Sequence, residues 1–464
     1  MAEDKYLPNG ELFEYNLYDI HATLKCFGRL TREGAKPMAL FDHALTGPAL
    51  TMSLRGLRVD ESAAAQTMEE TWDDARRLRR AADKIRKFTW TGKSIKPSPH
   101  ELAKVLYDEL RAPVQSNRDG GRTCNKEALD AIMNSPRSSD EAAEVARLAL
   151  ELSRLEEDRK VIEKPRGRDG RFHSGMGVAT TVSSRWSSRK DAFNEGGNLH
   201  AMNRRVRRIF IPDDGWVVIN RDLSQAESMG VAFLSGCEKY KQAHYSGNLH
   251  MHVGNMLWPH LKLTKEQAKM TAVPWNPDMT WYDCYKRRGH AANYLQSAWG
   301  FARMAHIPVA ESKRSEAKYF GEFGEIRQWH REIEYQVKTF KRLTTPMGRV
   351  RQFLGRSWSP ETIREAVAHV PQSMISDINK IILWRIWSAL DPALAMTLLE
   401  VHDSVLCQVR EADVAEFVER SNAMARVEIP VNGDTMVIGS ELSRGANWGD
   451  WDSNRNPRGL KKIG

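Results

Sequence analysis

The segment GWVVINRDLSQAES constrains this chain more than any other. Val217, Val218 and Ile219 form an apolar run after Gly215, and the run stops at Asp222. That pattern predicts a buried strand delivering a carboxylate to a polar turn. A second segment, LLEVHDSVLCQV, reads as strand–turn–strand with Asp403 in a tight hairpin. The expected core is therefore mixed α/β, made from two separate sequence segments, with helical insertions before and between them.

The rest of the chain fills in around this core. The first 55 residues hold a helix-like stretch, YNLYDIHATLKCFGRL, and an apolar one, ALFDHALTGPALTMSLRGL. From Asp60 to about Glu163 the pattern is helical and charged, apart from a turn-rich tip around Asp119-Gly120-Gly121, a turn signal and no phosphate cradle. Residues 171–185 lose helical periodicity and gain β-branched residues, which predicts strands. Residues 262–345 read as helical. Within them Ile326, Trp329, Ile333, Val337 and Phe340 keep a three-or-four spacing, with Pro346 and Gly348 expected to end the helix. SMISDINKIILWRIWSAL predicts another long buried helix. No internal repeat is visible.

At 464 residues the chain is long enough for two or three domains, or one fold with large lobes. No apolar run approaches the roughly 20 residues that span a bilayer, and MAEDKYLPNGELFEYN is too acidic for a secretory signal. The five cysteines are scattered without a CxxC pair, against both a zinc site and a disulfide framework, so a reduced, cytoplasmic protein is expected. The net charge of +9 is clustered in residues 76–96, 164–171 and 204–210. One such block is commonly a solvated face; three around one candidate centre point to nucleic acid.

Asp222 alone would pass for a strand-end cap, and Asp403 alone for a turn residue. The segment KRRGHAANYLQSAWG changes their weight. On a helix, Lys286, His290 and Tyr294 fall within an arc of roughly 80° over about 12 Å, enough to meet a triphosphate, a sugar and a base in turn. Two strand-borne aspartates could hold two magnesium ions roughly 4 Å apart. Carboxylates and a cationic helix together suit nucleotidyl transfer.

These residues resemble a known family. SSRWSS (183–188), NLHAMNRRVRRIFIPDDGWVVINRDLSQAES, YLQSAWGFARMAHI, EVHDSV, TPMGRVRQF, PQSMISDINKIIL and ELSRGANWGDW are similar, in order, to segments of the family A (bacterial polymerase I-like) DNA polymerases, in a compact phage-like form. The likeness runs from about residue 50 to 451. It implies an α/β (α+β) right-hand fold with a mixed antiparallel palm sheet and helical fingers and thumb. Residues 1–55 would be a remnant of the exonuclease domain with connecting helices, 56–170 the thumb, 171–250 the first palm segment, 251–345 the fingers, and 346–464 the second palm segment.

The resemblance also implies roles. Asp222 and Asp403, with the backbone carbonyl of Leu223, would bind two Mg2+ ions, with Mn2+ able to substitute. Lys286 would grip the triphosphate and protonate the leaving pyrophosphate. Glu227, held by Tyr294, would block a ribose 2′-hydroxyl; Gln225, His250 and His290 complete the nucleotide contacts. Arg185 and Gln372 would meet the minor groove, His402 the primer terminus and Arg364 the template-primer. Expected partners are primer-template DNA and dNTPs, with a separate exonuclease or processivity factor as further candidates, and no membrane. Phage or prophage DNA replication in a bacterial host cytoplasm is the implied setting.

Four positions depart from the family pattern. Tyr282 stands where an arginine is usual, so a triphosphate contact is either missing or supplied elsewhere, with neighbouring Arg287 and Arg288 as candidates. His290 replaces an aromatic, Leu295 a glycine and Ser404 a carboxylate. Tyr15 and Asp19 keep the spacing of the last exonuclease motif without that domain's other acidic residues, so no proofreading by this chain is expected. Two other readings compete. A single-subunit RNA polymerase often has His-Asp-Ser in its third motif but should not carry Glu227. A degenerate primer-end-binding protein would have no reason to keep Asp222, Lys286 and Asp403 together.

Overall fold

A computed structural model describes residues 37–117, 119–133, 135, 137–191, 196–355 and 359–463, with the isolated positions 18, 21, 22 and 25. Tyr15 and Asp19 lie outside the described residues.

Five strands form the central sheet: β1 (Trp216–Leu223), β2 (Ala395–Val401), β3 (Ser404–Arg410), β4 (Ser440–Gly445) and β5 (Lys461–Ile463). Their order is β2-β3-β1-β4-β5, and β1 pairs antiparallel with both neighbours. The apolar run of β1 is unbroken because both faces are covered. Val217 and Ile219, with Val405, Cys407 and Val409, pack into one core. Val218 and Leu406 pack into another with Phe172, Phe210 and Trp448.

Helices α1 (Glu61–Ile85) and α2 (Asp140–Ile162) pack together as a lobe beside the sheet. Both start where a side chain accepts an otherwise orphaned amide: Asp60 from Ala63 at 3.0 Å and Ser139 from Ala142 at 3.2 Å. Arginines of the 204–208 block fasten this lobe to the sheet, with Arg205 on Asp74 at 2.9 Å and Arg208 on Glu70 at 2.7 Å.

A second lobe comprises α3 (Ala226–Leu234), α4 (Leu249–Leu257), α5 (Trp281–Asn293) and α6 (Gly324–Phe340) around an aromatic core of Trp258, Trp281, Tyr285, Phe301, Tyr319 and Trp329. Tyr285 of α5 stacks on Trp258 at 5.6 Å and lies directly over Gly254 of α4, where a Cβ would come within 2.1 Å of the ring. Finally α7 (Pro360–Ala389) runs beneath the sheet, started by Ser359 as cap and Pro360 in the first turn.

Three expectations need correcting. The 262–345 region is not wholly helical, because Ala272–Val273 and Asn276–Thr280 form a small hairpin. Helix α6 ends at Phe340, before Pro346. Lys341 turns left-handed (φ 53°), and strands Arg342–Thr344 and Val350–Gln352 follow, with Gly348 (φ 85°) in the turn between them. Strand content in 171–185 is confined to Arg171–Phe172 and Gly175–Gly177, since left-handed Ala179 and Ser184 break the extended backbone. Among the described residues no helix is long and apolar enough to cross a membrane.

A buried ionic knot joins the Pro37–Ala44 helix to α7. Arg349 reaches Asp42 at 2.7 Å and Asp377 at 2.6 Å, and Lys380 reaches Asp42 at 2.9 Å. Asp377 and Lys380 have fully buried side chains. Removing one cation strands a buried carboxylate, so Arg349→Met is expected to lose about 3 kcal/mol of stability, checked by urea denaturation.

Candidate active site

Sheet register brings the two aspartates together. Ser404 of β3 lies opposite Asp222 of β1, and the Leu223 amide donates to the Asp403 carbonyl at 3.0 Å. Val401 pairs with Ser404, so the turn between β2 and β3 is only His402 and Asp403, with His402 left-handed (φ 59°). On the other side of β1, Glu441 lies opposite Asp222.

The carboxylates are crowded. Oδ1 of Asp403 is buried without a hydrogen-bond partner, the nearest cation being Arg185 at 3.8 Å. Burial pushes the Asp403 carboxyl up to about 6, Arg185 opposing and Glu227 and Asp222 adding to the rise. Burial, then Glu441, raises Asp222 as well. An orphaned carboxylate oxygen among like charges is what a divalent cation would relieve, so these side chains fit such a cation.

Around them opens a cleft of about 630 Å³. It gathers Asp222, Leu223, Gln225, Glu227, His250, Lys286, His290, His402 and Asp403 from four elements and two turns. Gln225, left-handed at φ 51°, turns the chain from β1 into α3, so that Glu227 falls in the first turn of that helix. Glu227 accepts hydrogen bonds from Arg185 and from the Tyr294 hydroxyl. Burial and adjacent Glu227 hold the Tyr294 proton well above the usual phenol range. The His250 and His290 rings are 6.3 Å apart. Burial first, then His290 and Lys286, depresses His250 to about 4. Arg364 is exposed near the start of α7, and Gln372 is half-buried one residue after Pro371; neither lines this cleft.

Tyr294 is not on the helix of Lys286 and His290. Helix α5 stops at Asn293, Leu295 adopts φ 54°, and the Gln296 amide closes the end on Ala291 at 2.9 Å. Ser297 then caps a separate helix, Ala298–Ala305. The left-handed step explains why glycine suits this position; leucine adopts it at a cost of about 1 kcal/mol. Nor does Arg288 replace a phosphate contact. It is fully buried over the Phe301 ring at 4.5 Å, and exposed Arg287 does not line the cleft. Tyr282 sits edge-on to His250 at 5.8 Å.

Glu441, Lys462, Asp450 and Trp448 also line the cleft and escaped the sequence reading, as did the particular place of Arg204 and Arg207 within their basic block. The arginines had a signal in their charge clustering, and Glu441, Trp448 and Asp450 in the family likeness of ELSRGANWGDW, which gave them no role.

Residues 64–450 match the profile of DNA polymerase family A. The chain belongs to that family. Among curated relatives of this family A chain, the thermostable DNA polymerase I of Thermus filiformis is 25% identical over 368 residues, covering 76% of this chain and 41% of the relative. DNA polymerase I of Mycobacterium tuberculosis (H37Rv) is 24% identical over 387 residues, covering 81% and 40%. The chain thus spans less than half the length of these relatives. The Pol1 POL domain of M. smegmatis, solved with DNA primer-template and dNTP, superposes with a TM-score of 0.70 at 22% identity, over 87% of this chain and 69% of that one. The fold is that of palm, fingers and thumb.

The raised pKa of Asp403 has a definite sign. The folded protein holds this proton more tightly than the unfolded chain, so the ionised form costs stability above about pH 6, and the cost fades as pH falls toward 3.8. Asp403→Asn is therefore expected to stabilise chelator-treated protein at about pH 8 by on the order of 2 kcal/mol, with little effect near pH 4. Urea denaturation at the two pH values checks this.

Proposed function

We propose that this chain is a DNA-templated DNA polymerase that extends a primer 3′ end with dNTPs. The observation that carries the proposal is Glu227, tied by Arg185 and Tyr294 in the same cleft as Asp222, Asp403 and Lys286. A carboxylate fixed there is a steric and electrostatic barrier to a 2′-hydroxyl, which favours deoxynucleotides over the RNA polymerase reading.

Asp222 and Asp403, with the Leu223 carbonyl, would hold two Mg2+ ions, or Mn2+ in their place, which when bound supply Lewis-acid stabilisation of charge developing on phosphoryl oxygens. Lys286 lies on the same cleft, on the helix facing the sheet, where an ammonium can grip a triphosphate and protonate the leaving pyrophosphate. His250 and His290 line the cleft beside it. Gln225 and Glu227 complete the sugar side. Arg185 and Gln372 would contact the minor groove, His402 the primer terminus and Arg364 the template-primer.

In this reading residues 56–170 act as thumb along the duplex, 251–345 as fingers, and 171–250 with 346–464 as palm. Backbone contacts by the basic blocks would make DNA binding salt-dependent and largely indifferent to sequence. A setting in phage or prophage replication, in a host cytoplasm, belongs to the same proposal, supported by the departures at Tyr282, His290, Leu295 and Ser404.

Primer extension with magnesium tests it. Deoxynucleotides are expected to be incorporated, with Asp222→Ala and Asp403→Ala each lowering the rate by about 10³-fold or more. Glu227→Ala is expected to admit ribonucleotides measurably. Extension with ribonucleotides by the unaltered chain would overturn the sugar-filter assignment, and loss of DNA binding in low salt would overturn the whole reading.

A further inference from the structure

Behind the His402–Asp403 turn lies a buried polar network. Glu400, one residue before the end of β2, is 1% exposed. Asn379 of α7 donates to its Oε1 at 2.9 Å and also to the Ser404 carbonyl at 3.4 Å, bracing both strands that flank the turn. His200 Nε2 lies 3.4 Å from Glu400 Oε2, and His200 Nδ1 lies 2.8 Å from the Ser188 hydroxyl. The His200 ring meets the His402 ring edge-on, 6.1 Å between centroids at 77°.

Both ring nitrogens of His200 have a partner. The Ser188 oxygen accepts the Leu199 amide at 2.6 Å and shares the His200 amide, 3.2 Å away, with Asn198 Oδ1. Its single proton can go to Asn198 Oδ1 at 3.1 Å or to His200 Nδ1 at 2.8 Å. Asn198 Oδ1 already receives the amides of His200 at 3.0 Å and Ala201 at 3.3 Å. Ser188 and Glu400 thus hold the two ring nitrogens of His200 from opposite sides, and Ser188, Nδ1, Nε2 and Glu400 form one connected chain.

The Ser-His-Glu sequence is not a hydrolytic triad. Ser188 is only 4% exposed, and its hydroxyl oxygen is already engaged by the Leu199 amide. What the chain does reach is the turn, because the His200 ring meets His402, which is exposed to the cleft.

We propose that Glu400 and His200 are positioning residues that lock the His402 ring, and with it the turn carrying Asp403, in the orientation the primer terminus meets. The inference rests on the polymerase reading for its consequence, and on the hydrogen-bond network for its geometry.

Two measurements test it. First, the imidazole ¹⁵N resonances of His402, assigned with His402→Gln, report on the turn without any substrate. They are expected to shift in Glu400→Gln, which keeps the Asn379 bond but loses the charged acceptor, and in His200→Ala. Second, steady-state extension is expected to show kcat lowered about tenfold in both variants, with KM for dNTP and Kd for primer-template within about twofold of the unaltered chain. A merely structural role would lower the folded fraction without this split. His200→Phe, which restores a ring against His402, is expected to exceed His200→Ala in kcat; equal rates would overturn the ring contact. Unmoved His402 resonances in folded Glu400→Gln would overturn the positioning role. An unaltered chain that extends no primer would overturn only the polymerase reading, since the resonances answer independently.

Discussion

A single register holds this protein's chemistry together. Ser404 opposite Asp222, sealed by the Leu223 amide on the Asp403 carbonyl, is the contact that sets two carboxylates side by side. Side chains alternate along a strand, so a slip of one residue would send Asp222 toward the helix beneath the sheet and bring Arg221 into the cleft. The packing prevents it. Val217 and Ile219 would both lose their core on α7 in that slip, leaving Val405, Cys407 and Val409 of β3 without their partners. Arg221, buried on the helix side, is held by Ser421, Asn422 and Ser440 at 2.6 to 2.9 Å. The hydrophobic faces of the sheet are thus the device that specifies the site.

That site is locally unfavourable, and its surroundings absorb the strain. Asp403 is raised by burial and by Glu227 and Asp222, while Arg185 is shared between Glu227 and Asp403. Arg185 serves only these two, and Asp222 takes its opposing charge from Arg204, Lys462 and Arg207. Lys286 adds a further cation across the cleft, while burial depresses His250 and His290 and favours their neutral forms. Such a field favours a ligand carrying both cations and phosphates.

Much of the fold was legible in the sequence because it is written locally. The run Val217–Ile219, the hairpin around Asp403 and the long apolar helix within α7 follow from periodicity and turn chemistry alone. What escaped was non-local or conformational. Glu441 and Lys462 enter the cleft only through the pairing of β4 with β1 and β5, which no segment announces. The end of α5 at Asn293 depends on a left-handed leucine, a residue type that ordinarily signals helix. Arg288 looked like a phosphate contact by proximity in sequence, yet the 3.6-residue period turns it into the aromatic core while Lys286 stays outside.

Tyr285 resting on Gly254 gives the second lobe a mechanical property. With no Cβ between them, ring and backbone interlock, and the helices bearing Lys286 and His250 cannot slide past one another without tearing the ring from its seat. Any swing of the lobe over the sheet must carry the ammonium and the imidazole as one rigid jaw. The spacing of the two helix backbones is set by that seat, whatever the distance between the lobe and the aspartates.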